Sequence, residues 1–199
     1  MNLLLFTAAD RIDADRIRVT DERLAQLHTV SGAAVGRSLR VGEIDGLLGT
    51  GVLETLHDKA AELTVSLDTQ PPDKLPAILI LALPRPKMLR RILRSVAEFG
   101  VQELHLVNSY RVEKSYWQTP VLNEETVRRY LLEGLAQSID TVLPRVSQYR
   151  HFKPFVEDTL PALLHNRNAL VAHPGAAAPC PRQIPAPAAL VVGPEGGFT

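Results

Sequence analysis

Short apolar stretches alternate with turn residues up to about residue 69 of the chain. Asp45-Gly46 suits the positive φ angles of a tight hairpin turn, and residues 40–44 and 47–53 on either side have the composition of strands. Glycine recurs in this region among valine, leucine and isoleucine. The pattern therefore predicts a small β-barrel or β-meander.

A short helix and a linker complete this first region. Residues 21–30 predict the helix, with Asp21 or the residue before it as the cap. Residues 70–73 predict the linker, because two consecutive prolines cannot continue a strand ladder and stiffen the chain between folded units. We therefore expect a first domain over residues 1–70 and a second over residues 74–199.

Beyond the linker the pattern changes to continuous apolar runs separated by segments with helical periodicity. Continuous runs are typical of strands in a parallel sheet that is covered on both faces. Strands that alternate with helices in this way indicate the α/β class. The runs comprise residues 78–83, 104–107, 169–172 and 189–192.

Three helices are predicted in this second region. The first has Pro86 in its first turn and Gly100 just past its end, the asymmetry that helices favour. A second is predicted from residue 124 to about residue 139, with Asn123 as its cap, and a third over residues 155–164. The apolar side chains of the first helix recur every three or four residues and should face the sheet. They are Leu89, Ile92, Leu93, Val96 and Ala97.

The charge of the chain is balanced, with 22 basic and 22 acidic residues, so the global charge does not indicate a nucleic-acid binder. Any RNA contact must come from a local patch. The longest apolar run, residues 77–83, is shorter than the ~20 residues that a membrane span needs, and no leader peptide is recognisable. We expect a cytoplasmic protein. Cys180 is the only cysteine, which excludes intramolecular disulfides and cysteine-rich zinc sites, and no metal site is predicted.

The strongest local signal is the glycine-rich loop of residues 193–198, directly after the last apolar run. Ligands of open α/β sheets bind outside the carboxyl ends of the strands, where glycine lets the backbone approach them closely. Residues 173–175 occupy the same kind of position after the preceding run, and His173 is either a base or a capping or packing residue. A plain tight turn is the alternative for the loop. The candidate cofactor-binding residues are Ala172, His173, Pro174, Gly175, Gly193, Pro194, Glu195, Gly196 and Gly197.

Positive charge is concentrated in two clusters of the second region. The first helix carries basic residues opposite its apolar stripe, an arrangement that is also common on plain solvated faces. Arg111 and Lys114 follow the second strand, together with Tyr116 and Trp117. Cations contact phosphates and aromatic rings stack on unpaired bases, so the mixture favours RNA recognition, with packing at an interface as the alternative for Trp117. The basic residues of the helix are Lys87, Arg90, Arg91 and Arg94.

Four segments together resemble a known family, the SPOUT-class, trefoil-knot methyltransferases that make N3-methyluridine in 16S ribosomal RNA. The resemblance covers essentially the whole chain, and the glycine-rich loop is its most specific part. The segments are residues 39–43 (LRVGE) with Gly46, residues 82–91 (ALPRPKMLRR), residues 111–118 (RVEKSYWQ) and residues 193–198 (GPEGGF).

The resemblance implies an N-terminal PUA-like β-barrel that helps to hold RNA and a C-terminal α/β domain whose knotted end binds S-adenosylmethionine (SAM). It implies a homodimer, because the catalytic pockets of the family form beside the dimer interface. The implied target is the uridine numbered 1498 in the 16S RNA of the small ribosomal subunit. Family members continue past the glycine-rich loop into a helix and an arginine-rich segment that close the knot, so an incomplete knot is expected in a sequence that ends at Thr199.

The reaction that the resemblance implies places demands on this chain. A direct displacement requires donor and acceptor to be aligned, and the proton on uridine N3 must leave. A fixed cation can stabilise the negative charge that results on the ring, and Arg111 is the candidate, with a phosphate contact as the alternative. Further catalytic side chains are expected in the arginine-rich segment of the family. In the first domain, Arg37 and Arg40 are candidates for contact with the RNA backbone.

Two other functions remain open at this point. One is a non-catalytic RNA-binding protein with a degenerate α/β domain, which would bind RNA without binding SAM. The other is a nucleotide-binding enzyme of the doubly wound type, in which the glycine-rich loop holds phosphate. A phosphate loop would need Gly-Lys followed by Ser or Thr, and the loop lacks that sequence.

Overall fold

The computed structural model describes residues 2–29 and 34–198 and divides the chain into two compact units. The first unit comprises Met1–Asp73 and Leu132–Leu143, and the second comprises Lys74–Leu131 and Pro144–Thr199. The first break falls directly after the segment that the two prolines mark as a linker. Leu132–Leu143 belongs to the first unit although it follows part of the second in the sequence, so chain order alone does not define the units.

A five-stranded mixed sheet forms the centre of the first unit. Its strands are β1 (Leu4–Phe6), β2 (Arg16–Val19), β3 (Ser38–Glu43), β4 (Leu48–Leu56) and β5 (Ala61–Thr69). The order is β1-β3-β4-β5-β2, with β1 parallel to β3 and the other neighbouring pairs antiparallel. Helix α1 (Glu22–Thr29) buries Leu24 and Leu27 in the same hydrophobic core as the strands.

Local sequence explains the hairpin and the helix of this unit. The turn between β3 and β4 contains Asp45, which takes a positive φ of 59°. Helix α1 begins after Asp21, whose carboxylate accepts a hydrogen bond from the N–H of Arg23 at 3.0 Å. The predicted hairpin and helix are confirmed, while Val30, the predicted last residue of the helix, lies outside the described residues.

Four arginines of the first unit are paired with carboxylates. Arg23 lies 2.6 Å from Asp10 and 2.6 Å from Asp21, and its side chain is only 22% exposed. Burial disfavours the charged form of Asp10, but hydrogen bonds from Arg23 and Thr7 outweigh burial, so the pKa of Asp10 lies below its usual value. The other pairs are Arg11–Glu43, Arg16–Asp13 and Arg18–Glu62.

Five parallel strands form the sheet of the second unit. They are β6 (Leu75–Ala82), β7 (Val101–Val107), β8 (Arg145–Tyr149), β9 (Asn168–Ala172) and β10 (Ala188–Val192). Their order is β8-β7-β6-β10-β9, and every neighbouring pair is parallel. The predicted α/β class and four of these strands are confirmed. The sequence does not predict β8, because Arg-Val-Ser-Gln-Tyr lacks a continuous apolar run.

Burial at β9 contradicts the prediction. The apolar run is predicted to be covered on both faces, but most of the strand is exposed and the side chain of Val171 is 59% exposed. The strand lies at the edge of the sheet, with β10 as its only neighbour among the described strands. Its place in the strand order, which a single strand's sequence does not contain, therefore decides its burial.

The helices of the later part of the chain are α2 (Pro86–Glu98), α3 (Glu124–Ser138), α4 (Phe152–Pro154) and α5 (Leu160–Leu164). The predicted apolar face of α2 is confirmed, since Leu89 and Leu93 are fully buried. The predicted second helix is confirmed as α3, which ends at Ser138 because Ile139 takes a φ of 60°. The third predicted helix is interrupted by a π-helical turn, Phe155–Thr159, ahead of Pro161, whose ring nitrogen carries no hydrogen to donate.

Two polar side chains, those of His105 and Ser109, are buried among the described residues of the second unit. His105, on β7, is 3% exposed, and its Nε2 lies 3.3 Å from the carboxylate of Glu103. Burial lowers the pKa of His105 below its usual value, although Glu103 acts in the opposite direction. The hydroxyl of Tyr149 lies 3.4 Å from the other ring nitrogen. These contacts join His105 to Glu103 on its own strand and to Tyr149, the last residue of β8.

Candidate functional site

The carboxyl ends of all five parallel strands of the second unit meet at one edge of the sheet, which we call the carboxyl edge. Such edges are where open α/β sheets bind their ligands. Each strand is followed within five residues by a charged or titratable side chain. These are Arg85 after β6, Arg111 after β7, Arg150 after β8, His173 after β9 and Glu195 after β10.

The glycine-rich loop after β10 needs its glycines for two reasons. Gly196 and Gly197 take φ values of 92° and 87°, which side chains disfavour, and the N–H of Gly197 closes the turn on the carbonyl of Pro194 at 2.9 Å. A Cβ at Gly197 would overlap with the imidazole of His173. The two loops that the sequence places at neighbouring strand ends are therefore in contact.

Arg111 reaches the same loop from β7. Its guanidinium donates to the carbonyl oxygen of Gly196 at 2.5 Å, and the residue is exposed. A carbonyl has no net charge, so this hydrogen bond orients the guanidinium without neutralising it. The predicted catalytic residue and the predicted cofactor loop are thus adjacent, as expected for groups that act on one ligand.

Arg85 also reaches the glycine-rich loop, and sequence reasoning did not assign it to the site. Its guanidinium lies 2.8 Å from the carboxylate of Glu195, and the side chains are 59% and 88% exposed. Arg85 lies between β6 and α2, within the ALPRP segment. Its position directly after a predicted strand is the one feature of the sequence that could have indicated a role in the site. The contact joins residues 110 positions apart, and no local pattern predicts such a pair.

His173 is fixed by its own loop. Its Nδ1 accepts a hydrogen bond from the N–H of Gly175 at 3.0 Å. An accepting Nδ1 places the hydrogen of the neutral imidazole on Nε2. This arrangement favours the packing alternative for His173 over the role of a free base. Ala172 ends β9, and Pro174 follows His173 in the exposed segment after it.

Trp117 does not have the role that the sequence suggests. The indole is 8% exposed, and its N–H donates to the side-chain carbonyl of Asn108 at 3.0 Å. The guanidinium of Arg150 lies 5.5 Å from the centre of the indole. With its ring buried inside the second unit, Trp117 cannot stack on an RNA base, and the prediction is corrected to a packing role. Lys114 begins the short 3₁₀ helix Lys114–Gln118 and is exposed.

The basic face of α2 is exposed for the most part. Lys87, Arg90 and Arg91 are exposed, opposite the buried apolar stripe. Arg94 is half-buried, with its guanidinium 4.5 Å from the centre of the Tyr130 ring. Arg94 is therefore engaged within the unit, while the other three are presented to solvent.

The two candidates in the first unit lie on or beside β3. Arg40 is an exposed residue of the strand, and Arg37 immediately precedes it. The main-chain carbonyl of Arg37 accepts from the N–H of Leu53 at 3.0 Å, which holds this part of the chain against β4.

Neither a metal cluster nor a membrane span is found in the part of the chain that the structure describes. In the ranges 2–29 and 34–198, no group of three or more His, Cys, Asp or Glu side chains has the arrangement to hold a metal ion. None of the helices in these ranges has the length and apolar character that a membrane span requires.

Residues 71–199 match the profile of the family described as "RNA methyltransferase domain". The chain belongs to this family. The resemblance to an RNA methyltransferase family seen in the sequence is therefore confirmed. A relative of this RNA methyltransferase domain, "Ribosomal RNA small subunit methyltransferase E" of Treponema pallidum (strain Nichols), is 27% identical over 157 residues. The match covers 78% of this chain and 59% of the relative, so the chain spans about three-fifths of the length of that protein.

Solved structures share the fold of this RNA methyltransferase domain and of the unit before it. A ribosomal RNA small subunit methyltransferase E from Neisseria gonorrhoeae, bound to SAM, has a TM-score of 0.72 at 19% identity, covering 99% of this chain and 82% of that one. A probable rRNA-methyltransferase from Porphyromonas gingivalis has a TM-score of 0.69 at 22% identity, covering 98% and 82%. At these identities the likeness shows the fold, namely a mixed sheet followed by a parallel α/β sheet.

Proposed function

We propose that this protein is a SAM-dependent methyltransferase that modifies N3 of uridine 1498 in the 16S RNA of the small ribosomal subunit, with the carboxyl edge as its active site. The observation that carries the proposal is the position of Arg111, whose guanidinium is held on the carbonyl of Gly196 in the glycine-rich loop. Membership of the RNA methyltransferase domain family and the relative in T. pallidum support the reaction class.

The carboxyl edge has groups that suit SAM. Residues 172–175 and 193–197 present main-chain N–H and C=O groups, which can bind the polar edges of adenine and the methionine portion. The carboxylate of Glu195 is 88% exposed at this edge, and a positively charged sulfonium would be attracted to it in competition with Arg85, whose guanidinium lies 2.8 Å away. SAM would supply a methyl group that is transferred by direct displacement. The solved structure from N. gonorrhoeae, which is bound to SAM, supports this choice of cofactor.

Arg111 has the chemical role in this proposal. The N3 proton would pass to solvent, which leaves negative charge on the uracil ring. A cation held in advance stabilises that charge without reorganising as the reaction proceeds. The hydrogen bond to Gly196 fixes the guanidinium at the loop that would hold SAM, so the charge lies beside the donor. Alignment of donor and acceptor at this edge would supply the rest of the acceleration.

The proposal also assigns a role to each unit and names the RNA-binding surfaces. The first unit acts as a PUA-like barrel that holds RNA through Arg37 and Arg40, and the second acts as a SPOUT-class domain with a trefoil knot at its SAM-binding end. Residues 1–70, together with Leu132–Leu143 of the same unit, have the first role, and the remainder of residues 74–199 has the second. The protein works as a homodimer in the cytoplasm, and its ribosomal RNA lies along the exposed basic face of α2 as well.

The test is methyl transfer from isotopically labelled SAM to unmodified small ribosomal subunits by the natural protein. Nuclease digestion and mass spectrometry should then place the label on N3 of a single uridine. Binding of the subunits without transfer would refute the enzyme and leave a non-catalytic RNA-binding protein. Titration with ATP in parallel tests the nucleotide-binding alternative, because the proposed enzyme should bind SAM in preference to ATP.

A further inference from the structure

Tyr110 is the most conspicuous exposed aromatic side chain of the second unit. It is 95% exposed, and it precedes Arg111 in the segment that follows β7. Exposing a whole aromatic ring to water forgoes the favourable free energy of its burial. A ring in this position is therefore available to a ligand.

The turn that carries Tyr110 is anchored on both sides. On the amino-terminal side, the N–H of Asn108 donates to the carbonyl of Tyr149 at 2.9 Å, and its side-chain carbonyl accepts from the indole of Trp117 at 3.0 Å. On the carboxyl-terminal side, Val112 is 7% exposed, and its N–H donates to the carbonyl of Ser109 at 3.0 Å. The backbone on either side of Tyr110 is thus fixed, so binding to a ligand need order only the side-chain torsions of the ring.

The surroundings of the ring indicate the class of ligand. Arg111 follows it directly and contacts Gly196 of the glycine-rich loop, so the aromatic ring belongs to the carboxyl edge. Lys114 is exposed a few residues later. Cations that meet phosphates, placed beside an aromatic plane that meets bases, are the combination with which proteins hold unpaired nucleotides.

We propose that Tyr110 is a stacking platform for an unpaired base of the RNA substrate, at or next to the nucleotide that receives the methyl group. The inference rests on the proposed function for the identity of the RNA. Trp117, the aromatic residue that the sequence suggests for this role, is buried beneath the same turn and instead supports it through Asn108. The ring of Tyr110 is the exposed aromatic surface, and Trp117 stabilises the turn that carries it.

The test compares Tyr110→Ala and Tyr110→Phe with a matched control, Phe99→Ala, in the natural protein. Phe99 is also an exposed aromatic residue, at 72%. It directly follows α2 and lies near the start of β7, away from the carboxyl edge. Binding is measured by titrating a fluorescein-labelled 16S RNA hairpin that contains the target uridine. Tyr110→Ala should weaken RNA binding about tenfold or more, Tyr110→Phe should bind as the wild type does, and Phe99→Ala should change nothing.

Two further readouts separate base stacking from an indirect effect of the substitution on folding or on the cofactor site. The affinity for SAM, measured by calorimetry, should be the same in all variants. A hairpin with 5-iodouridine at the target position should give a photo-crosslink that peptide mapping places on Tyr110. Equal RNA affinity of Tyr110→Ala and wild type would overturn the stacking role. A lower molecular mass of Tyr110→Ala in sedimentation would also overturn it, because the ring would then contribute to the homodimer. Failure of the proposed function can be distinguished from failure of the stacking role. If the proposed function is wrong, the wild-type protein and the Tyr110 variants alike transfer no methyl group.

Discussion

Arg23 in the first unit and Arg111 at the carboxyl edge differ in what they contact. Arg23 and its counterparts in the first unit each face a carboxylate, and Arg23 faces two, so their charge is neutralised inside the protein. Arg111 donates to a backbone carbonyl, which orients its charge and leaves it uncancelled. An arginine that is neutralised by a carboxylate stabilises the fold. An arginine that is oriented by an uncharged acceptor keeps its positive charge and can interact with a negative charge that arrives with a ligand or develops in a reaction.

The largest effect is expected from disturbing the loop that Arg111 contacts. Gly197→Ala introduces a Cβ at a φ of 87° and into the space of the His173 ring, so the loop must shift. Displacement of a positioning element by about 1 Å can lower a rate about 100-fold, and we expect a loss of that order in methyl transfer, with weaker SAM binding by calorimetry. Gly36→Ala, at a φ of 86° in open space in the first unit, is the control, and equal SAM affinities of the two variants would contradict the role of the loop.

The next largest effect is expected from removing a partly buried ion pair of the first unit. Arg23→Ala leaves Asp10, whose side chain is 14% exposed, without its charged partner, and should lower the free energy of unfolding by about 2 kcal/mol in urea titrations. Arg18→Ala removes a pair whose arginine is 54% exposed and should cost less than about 1 kcal/mol. Similar losses in both variants would show that burial does not distinguish these pairs.

The pH dependence of stability should follow from the same network. The pKa of Asp10 is lower in the folded state than its usual value of 3.8, so the folded state binds fewer protons than the unfolded state between the two values. The stabilisation is therefore fully present above pH ~4 and is lost as the pH falls through the folded pKa. Urea unfolding between pH 5 and pH 2 should show this loss in the wild type and a shallower one in Arg23→Ala; parallel curves would contradict it.

The smallest effect on stability is expected from the ion pair at the carboxyl edge. Arg85 and Glu195 are both mostly exposed, and exposed pairs contribute less than about 1 kcal/mol. Glu195→Gln should therefore leave the unfolding midpoint nearly unchanged while it weakens SAM binding, measured by calorimetry. A large loss of stability with unchanged SAM affinity would place this pair with the structural pairs of the first unit.

Periodicity, proline and glycine were sufficient to predict α2 and four of the five parallel strands, because these signals are local. They also placed the glycine-rich loop at a strand end. Strand order is not local, so the exposed edge position of β9 could not be read from its apolar run. Contacts between distant segments were equally hidden, as the Arg85–Glu195 pair shows. Composition marked Trp117 as the aromatic of the site, but only the fold shows that the exposed ring is that of Tyr110.

The most direct measurement is the single-turnover rate of methyl transfer from SAM to unmodified small subunits by Arg111→Ala, at saturating concentrations of both substrates. Arg145→Ala is the matched control, since Arg145 is 79% exposed, pairs with Glu103 and begins β8 at the opposite edge of the same sheet. We expect Arg111→Ala to lose a factor of about 100 to 1,000 in rate, the loss seen when one group that stabilises a developing negative charge is removed, and Arg145→Ala to transfer at the wild-type rate. Equal rates for Arg111→Ala and wild type would contradict the assignment of the carboxyl edge as the active site.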